Sequence, residues 1–194
     1  MINSNSEEMK SDYDQRKQQL RRTTLVSGSL MMVAATLVIV LIQMSGYAGT
    51  TEDTQLGFNA EIIRSYFSLM SPTDMGLFIA ANLADYLFML FYGIFFFSAA
   101  RLISWNYKSG LPKMIGLSLA WVGVLAAVLD GIENVFLLSM TTDPVGFASW
   151  LAIAHSSFAF TKFLFMYVAM AWTMTGFVVN RTPIATHLMS SQIV

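Results

Sequence analysis

A set of polar side chains interrupts the apolar stretches of this sequence at positions where they could bind a cation or exchange a proton. Its members are Asn82, Asp85, Tyr92, Asp130, Glu133, Asn134, His155 and Lys162. The carboxylates outnumber the one Lys and the one titratable His, so with His neutral the group carries excess negative charge. Such charge is expensive where water is scarce. The set therefore predicts a site that is neutralised by a proton on a carboxyl, by a protonated His or by a bound cation.

The composition places these side chains in a membrane protein. The chain has 194 residues, of which 55% are hydrophobic and 12% are charged, about half the charged fraction of a soluble domain. Its net charge of -1 gives no reason to expect a nucleic-acid partner. The absence of cysteine excludes disulfides, thiol catalysis and cysteine-ligated metals. The expected partner is the lipid bilayer.

Charged residues divide the chain into four long apolar stretches, which predict an all-α, four-helix integral membrane bundle. The predicted spans cover residues 24–46, 75–102, 113–140 and 147–179. They form one domain over residues 23–180, between polar tails at 1–22 and 181–194. The first apolar run is much longer than the core of a signal peptide, which favours a retained signal anchor over a cleaved peptide.

Basic residues indicate the orientation. They concentrate in the N-terminal segment, in the loop between the second and third spans, and in the C-terminal tail. These are Lys10, Arg16, Lys17, Arg21, Arg22, Arg101, Lys108, Lys113 and Arg181. The other two loops are poor in Lys and Arg, so the positive-inside rule predicts a multi-pass protein of the plasma (inner) membrane with both termini in the cytoplasm.

The first outer loop contains an amphipathic pattern over residues 56–70. It places Phe58, Ile62, Tyr66 and Leu69 on one helical face. We predict a helix that lies on the outer surface or covers the bundle. Simple interfacial anchoring by aromatic side chains is the alternative.

The last three spans each contain a seam of residues at alternating spacings of four and three, which buries one side of a helix in a bundle. In the third span the seam consists of Gly116, Ala120, Gly123, Ala127, Asp130 and Asn134, and Glu133 borders it. The seams of the second and fourth spans contain Asn82, Asp85, Tyr92, His155 and Lys162. Inward placement is favoured, because a charge that faces lipid costs at least about 2.5–3.5 kcal/mol.

Depth along the helices gives a second reason to expect one cluster. At 1.5 Å per residue, Asp85 and Asp130 lie about 15 Å below the outer ends of their helices, Glu133 about 10 Å and His155 about 12 Å. Lys162 lies about 22 Å deep, but its side chain can reach about 6 Å back towards the acids. The site is therefore predicted in one layer of the outer half.

The leading hypothesis for function is a site that binds or moves a cation, a proton or a small molecule. The alternative is a structural or accessory subunit of a membrane complex, in which the polar cluster holds the helices together. A homo-oligomer or a membrane-complex partner would fit either role. No continuous polar path crosses the membrane, so transport would require a large rearrangement.

A second alternative is a carboxylate-rich intramembrane metalloenzyme. Asp85, Asp130, Glu133 and His155 would hold Mn²⁺, Mg²⁺ or Fe²⁺, since oxygen ligands suit these ions better than zinc. No HExxH motif supports this hypothesis. A serine hydrolase is disfavoured because Ser156 is adjacent to His155 on a helix and there is no G-x-S-x-G turn. The patterns as a whole favour a protein that is not an enzyme.

Three motifs carry a resemblance to a known family. They are D-x-x-F-x-x-x-Y-G beginning at Asp85, D-x-x-E-N beginning at Asp130, and Lys162 in the fourth span. In their order and spacing over roughly residues 50–175, the chain resembles a family of prokaryotic four-helix membrane proteins with no established activity. The resemblance implies a four-helix fold and a shared polar site, but it implies no reaction.

Overall fold

The computed structural model describes residues 2–107 and 109–179, and this part of the chain is helical with no strand. The helices are α1 (Ile2–Met44), α2 (Thr51–Gln55), α3 (Ala60–Ser68), α4 (Pro72–Ser104), α5 (Leu111–Met140) and α6 (Ser149–Val179). Four of them, α1, α4, α5 and α6, are long and apolar enough to cross a membrane. The predicted all-helical fold, with four helices that are long and apolar enough to span a membrane, is therefore confirmed for the described residues.

Local sequence explains where the helices begin. The Ser71 hydroxyl accepts from the Asp74 amide while the Asp74 carboxylate accepts from the Ser71 amide, and Pro72 occupies the first turn of α4. α5 follows Gly110, whose φ of 89° is the left-handed conformation that glycine adopts without steric cost. The Asn59 side chain accepts from the Glu61 amide at the start of α3.

α1 differs from the prediction, because it begins at Ile2 and not near residue 24. The segment predicted as a polar tail continues the first span as a helix. It is rich in Glu, Lys, Gln and Arg, which favour helix, and it contains no Gly or Pro before residue 28. It also packs on the α4–α5 connection, where Tyr13 donates to the Trp105 carbonyl at 3.3 Å and Lys17 to Asn106 Oδ1 at 3.3 Å. The predicted tail at 181–194 lies outside the described residues.

α3 lies within the predicted amphipathic segment, but it buries a different face. Its buried residues are Ala60, Ile63 and Phe67. On the predicted face, Leu69 is 77% exposed and Phe58 is 44% exposed. Phe58 adopts a φ of 52°, which breaks the helical register assumed for residues 56–70, so α3 begins only at residue 60.

The long helices approach closely through small residues of α5, as the predicted seam requires. A Cβ added at Gly123 would clash with the Phe96 Cβ, and one at Gly93 would lie 3.1 Å from the Ala127 Cβ. Gly116, Ala120 and Gly123 are buried, so a row of small side chains separates α5 from its neighbours.

Two apolar clusters bracket a polar layer. One cluster lies at the end of the bundle that holds α2 and α3, and it contains Ile63, Phe67, Phe78, Leu137, Met140 and Phe147. The other lies towards the α4–α5 connection and contains Met89, Tyr92, Phe96, Ala126 and Ala169. We call these two ends of the bundle the α2–α3 end and the α4–α5 end.

Candidate functional site

A buried ion-pair triad joins α5 to α6. The Lys162 Nζ lies 2.6 Å from Asp130 Oδ1 and 2.6 Å from Glu133 Oε2. All three side chains are buried, and Glu133 has no exposed surface. The carboxylates are three residues apart on one helix, so both face the same side of α5 and one ammonium contacts both. We call Asp130, Glu133 and Lys162 the Lys162 triad.

α4 adds a hydrogen bond to this triad. The Tyr92 hydroxyl donates to Asp130 Oδ2 at 3.0 Å, so Asp130 is contacted by Lys162 through one oxygen and by Tyr92 through the other. Packing and hydrogen bonding were both open for Tyr92 from its seam position. The structure shows that the ring is buried in the apolar cluster while its hydroxyl reaches the polar layer.

His155 is fully buried beside Glu133. Its Nδ1 lies 3.2 Å from the Glu133 backbone carbonyl, and because a carbonyl only accepts, Nδ1 carries the proton. The Nε2 lies 3.8 Å from Glu133 Oε1, and neither atom has a hydrogen-bond partner among the described residues. Glu133 Oε2 contacts Lys162 at ion-pair distance without hydrogen-bond alignment. Glu133 and His155 therefore form a buried pair that can take up one further proton.

Asp85 has different surroundings from the two carboxylates of the triad. Its Oδ2 accepts from the Asn134 amide at 2.9 Å, and no cationic side chain among the described residues forms an ion pair with it. Asn134 also donates to the Asn82 carbonyl at 3.3 Å, while the Asn82 amide donates to the Phe78 carbonyl at 2.7 Å. Asp85 is half-buried. Among the described residues, its carboxylate is therefore stabilised by a neutral amide and not by a counter-ion.

A cavity of about 250 Å³ lies next to Asp85, and we call it the Asp85 cavity. α4 and α5 contribute polar groups to its wall through Asn82, Asp85 and Asn134. The segment from Tyr47 to Gln55, here the cover segment, contributes Tyr47, Gly49, Thr50, Thr54 and Gln55. The cavity therefore combines one carboxylate with amide and hydroxyl groups at the α2–α3 end.

Hydrogen bonds hold the cover segment and α3 in place. The Tyr47 hydroxyl and Thr54 Oγ1 are 2.9 Å apart, and the Tyr66 hydroxyl of α3 donates to Asp53 Oδ2 at 2.8 Å. That bond to a carboxylate raises the pKa of Tyr66. The Phe58 amide donates to Ser156 Oγ at 3.2 Å, which ties the chain after α2 to α6.

All the predicted site residues lie in the polar layer, but they form two groups. One group is the Lys162 triad with Tyr92 and His155, and the other is Asp85 with Asn82 and Asn134. Glu133, predicted at the border of the seam, is the most buried of the carboxylates. The sequence alone did not assign the individual pairings. Lys162 contacts two carboxylates, and the Nδ1 of His155 contacts a backbone carbonyl.

The contribution of the cover segment to the site was not predicted from the sequence. A signal was present, because Thr50 precedes Asp53 by the three residues typical of a helix N-cap. The Thr50 side chain accepts from the Asp53 amide at 3.1 Å. Recognising this cap would have placed a short helix at residues 51–55. It would not have shown that this helix lies over the polar layer.

The predicted metal-ligand set is not assembled. Within residues 2–107 and 109–179, no group of three His, Asp or Glu side chains is placed to hold one metal ion. The reason is that Asp130 and Glu133 converge on the Lys162 ammonium, which occupies the position a cation would take, while Asp85 lies with Asn134.

Together the fold and the site define a multi-pass membrane protein with a buried charged cluster. Comparison with protein-family models, curated proteins and solved structures finds no match for the chain. The resemblance described above therefore rests on its motifs alone, and the function is argued below from the geometry of the site.

Proposed function

We propose that this protein binds a small cation, either a monovalent metal ion or a protonated amine, in the Asp85 cavity. The observation that carries the proposal is a half-buried carboxylate, without a cationic partner among the described residues, beside a cavity of about 250 Å³. Buried charges in membrane proteins pair with one another or mark ion and substrate sites. Because Lys162 is already engaged by two other carboxylates, Asp85 is free to take an external counter-ion.

Charge balance supports this assignment. When ionised, the two carboxylates of the Lys162 triad exceed its ammonium by one negative charge, and one proton shared by Glu133 and His155 would cancel it. Among residues 2–107 and 109–179, Asp85 then remains as the uncompensated charge of the layer. A bound cation would neutralise Asp85 without disturbing the Lys162 triad. The triad then has a structural function, and the cavity has a binding function.

The residues that line the Asp85 cavity favour a small cation that keeps part of its hydration shell or its own N–H donors. A bare ion fills only a fraction of 250 Å³, while amide and hydroxyl oxygens from Asn82, Asn134 and Thr54 can coordinate a hard cation or accept from an ammonium group. Binding is favoured over passage through the bundle, because the helices below the polar layer are closely packed at Phe96 and Gly123. The buried hydroxyl groups in this part of the bundle form hydrogen bonds within the protein.

We infer that the Asp85 cavity opens to the outside of the plasma (inner) membrane and that both termini are cytoplasmic. The basic residues of α1 and of the α4–α5 connection support this orientation. The chain has no native cysteine, so single-cysteine labelling tests it directly. Ser65→Cys on α3 should react with a membrane-impermeant maleimide in intact cells, and Ser109→Cys only after permeabilisation. The reverse pattern would overturn the orientation.

Ligand-dependent stability tests the binding site. The detergent-purified protein is unfolded in the presence of Na⁺, K⁺, methylammonium or choline, at constant ionic strength. A cation that binds only the folded state adds about 2.7 kcal/mol at one hundred times its dissociation constant. We expect at least one of these probes to stabilise the protein, and Asp85→Asn to abolish the effect.

The matched control is Glu52→Gln, which removes an exposed carboxylate of α2 at the same end but not from the cavity wall. This variant should keep the response to the cation. Stabilisation that survives in Asp85→Asn, or no stabilisation of the unsubstituted protein by any probe, would contradict the proposal. A cation flux into liposomes that Asp85→Asn abolishes would extend binding to transport.

A further inference from the structure

A second cavity, of about 490 Å³, lies at the α4–α5 end, and it is separate from the Asp85 cavity. Its wall is formed by the extended part of α1, the end of α4 and the beginning of α5. Two cationic side chains, Arg101 and Lys113, contribute to the wall, and the described residues that line it include no carboxylate. We call it the Arg101 pocket. Its charge is opposite to that of the Asp85 cavity.

Two of the residues that line the pocket also carry hydrogen-bond donors without acceptors among the described residues. Arg101 Nε and Trp105 Nε1 are buried, and neither has a partner among the described residues. Both groups can only donate. The Arg101 guanidinium lies 5.5 Å from the centre of the Phe97 ring, a contact that orients it without satisfying its N–H groups. An anion with several acceptor oxygens would satisfy both the donors and the positive charge.

The position of the pocket indicates where such an anion comes from. Tyr13 from α1 packs against Trp105 at the end of α4, with ring centroids 5.5 Å apart, and Leu117 adds an apolar wall. Trp and Tyr are enriched where a membrane meets water. Basic pockets between membrane helices bind anionic lipid head groups. A phospholipid fits this wall, because its phosphodiester group can contact the polar part while its acyl chains run past Leu117 along the apolar part.

We propose that the Arg101 pocket binds the phosphate of an anionic phospholipid head group. Arg101 and Trp105 donate to the phosphate oxygens, Lys113 adds positive charge, and Tyr13 closes the side formed by α1. This assignment gives the polar extension of α1 a role, because the extension completes the pocket. The proposal does not depend on what the Asp85 cavity binds.

Native mass spectrometry of the full-length protein released from detergent micelles tests the proposal. The probes are phosphatidylglycerol, phosphatidylcholine and inorganic phosphate, each added separately. We expect phosphatidylglycerol to bind about tenfold more tightly than phosphatidylcholine, as two cations near a head group predict. Arg101→Gln should remove this preference. Trp105→Phe, which keeps the ring and loses the N–H, should reduce the affinity about threefold.

Arg22→Gln is the matched control, because it removes an exposed arginine of α1 that does not line the pocket. It should leave the preference unchanged. An equal loss in Arg22→Gln and Arg101→Gln would show general electrostatic attraction and overturn the site. A preference retained in both Arg101→Gln and Trp105→Phe would also overturn it. Inorganic phosphate that binds as tightly as the lipid would assign the pocket to free phosphate and overturn the lipid assignment.

Discussion

Asp130 and Asp85 lie in the same polar layer, yet their surroundings differ. Asp130 contacts the Lys162 ammonium at 2.6 Å and the Tyr92 hydroxyl at 3.0 Å, and it is buried. Asp85 contacts the Asn134 amide at 2.9 Å and borders a cavity. The first arrangement is closed and its charge is paired inside the protein, so we expect it to act on stability. The second leaves a charge for an external ligand, so we expect it to act on binding.

The largest effect on stability is expected from Lys162→Met. It leaves Asp130 and Glu133 buried together without a counter-ion, and breaking a buried ion pair in this way costs about 3–5 kcal/mol. The free energy of unfolding, measured by denaturant titration in mixed micelles, checks the prediction. The matched variant combines Lys162→Met with Asp130→Asn and Glu133→Gln and should recover most of the loss. A cost below about 1 kcal/mol for Lys162→Met would show that the triad is not closed in solution.

A smaller loss is expected from Tyr92→Phe, which removes the hydroxyl that donates to Asp130. Leaving a buried carboxylate oxygen without this donor costs about 1–3 kcal/mol. Tyr86→Phe is the control, because the Tyr86 hydroxyl donates to the neutral Gly131 carbonyl at 3.1 Å and the residue is half-buried. Thermal unfolding should show a larger decrease for Tyr92→Phe, and equal decreases would contradict a special role of the bond to Asp130.

Asp85→Asn should change stability by less than about 1 kcal/mol, because its partner is a neutral amide and its side chain is half-buried. The same substitution should abolish cation-dependent stabilisation. Unfolding with and without the stabilising cation measures both quantities in one experiment. A loss comparable to that of Lys162→Met would place Asp85 with the triad and remove the distinction between the two regions.

The smallest effect is expected from Tyr47→Phe, which removes the contact with Thr54 in the cover segment. We expect a cost of about 0.5 kcal/mol, the lower end of the range for a neutral hydrogen bond, and weaker cation binding, since the cover segment becomes less firmly held. Burial raises the pKa of Tyr47 to about 12. Its contribution is therefore fully present below pH 10 and is lost only as the pH rises through 12.

Titration of ligand binding between pH 6 and 9 checks the role of Tyr47. The phenol stays protonated throughout this range, so any pH dependence should be the same in Tyr47→Phe and in the unsubstituted protein. A pH dependence that disappears in Tyr47→Phe would instead assign the titration to the cover segment.

Much of the site was predictable because membrane helices leave few places for polar side chains. The spacing of Asp130, Asn134, His155 and Lys162 on their helices was enough to place them on buried faces, since lipid does not solvate charge. The pairing was not predictable. Whether Lys162 meets one carboxylate or two depends on the rotation of α5 against α6, which helical spacing leaves undefined.

The short connecting segments were less predictable for a related reason. Helical periodicity placed Phe58 and Leu69 on one face of a helix, but the chain turns at Phe58, and Ile63 and Phe67 are the side chains that are buried. In a segment this short, one residue with a positive φ changes the register. The length of α1 was also underestimated. Its polar N-terminal half packs on the rest of the protein through the contact of Tyr13 with Trp105, which the sequence alone does not reveal.

The sequence by itself determined the number of helices long and apolar enough to span a membrane, the small-residue face of α5 and the presence of a polar layer. Apolar length, residue size and the cost of charge in lipid act locally along each helix. Only the tertiary structure decided that Lys162 closes a triad with Asp130 and Glu133 while Asp85 borders a cavity beneath the cover segment. That division depends on how the helices are rotated and on where a connecting segment folds back, and these are properties of the whole assembly.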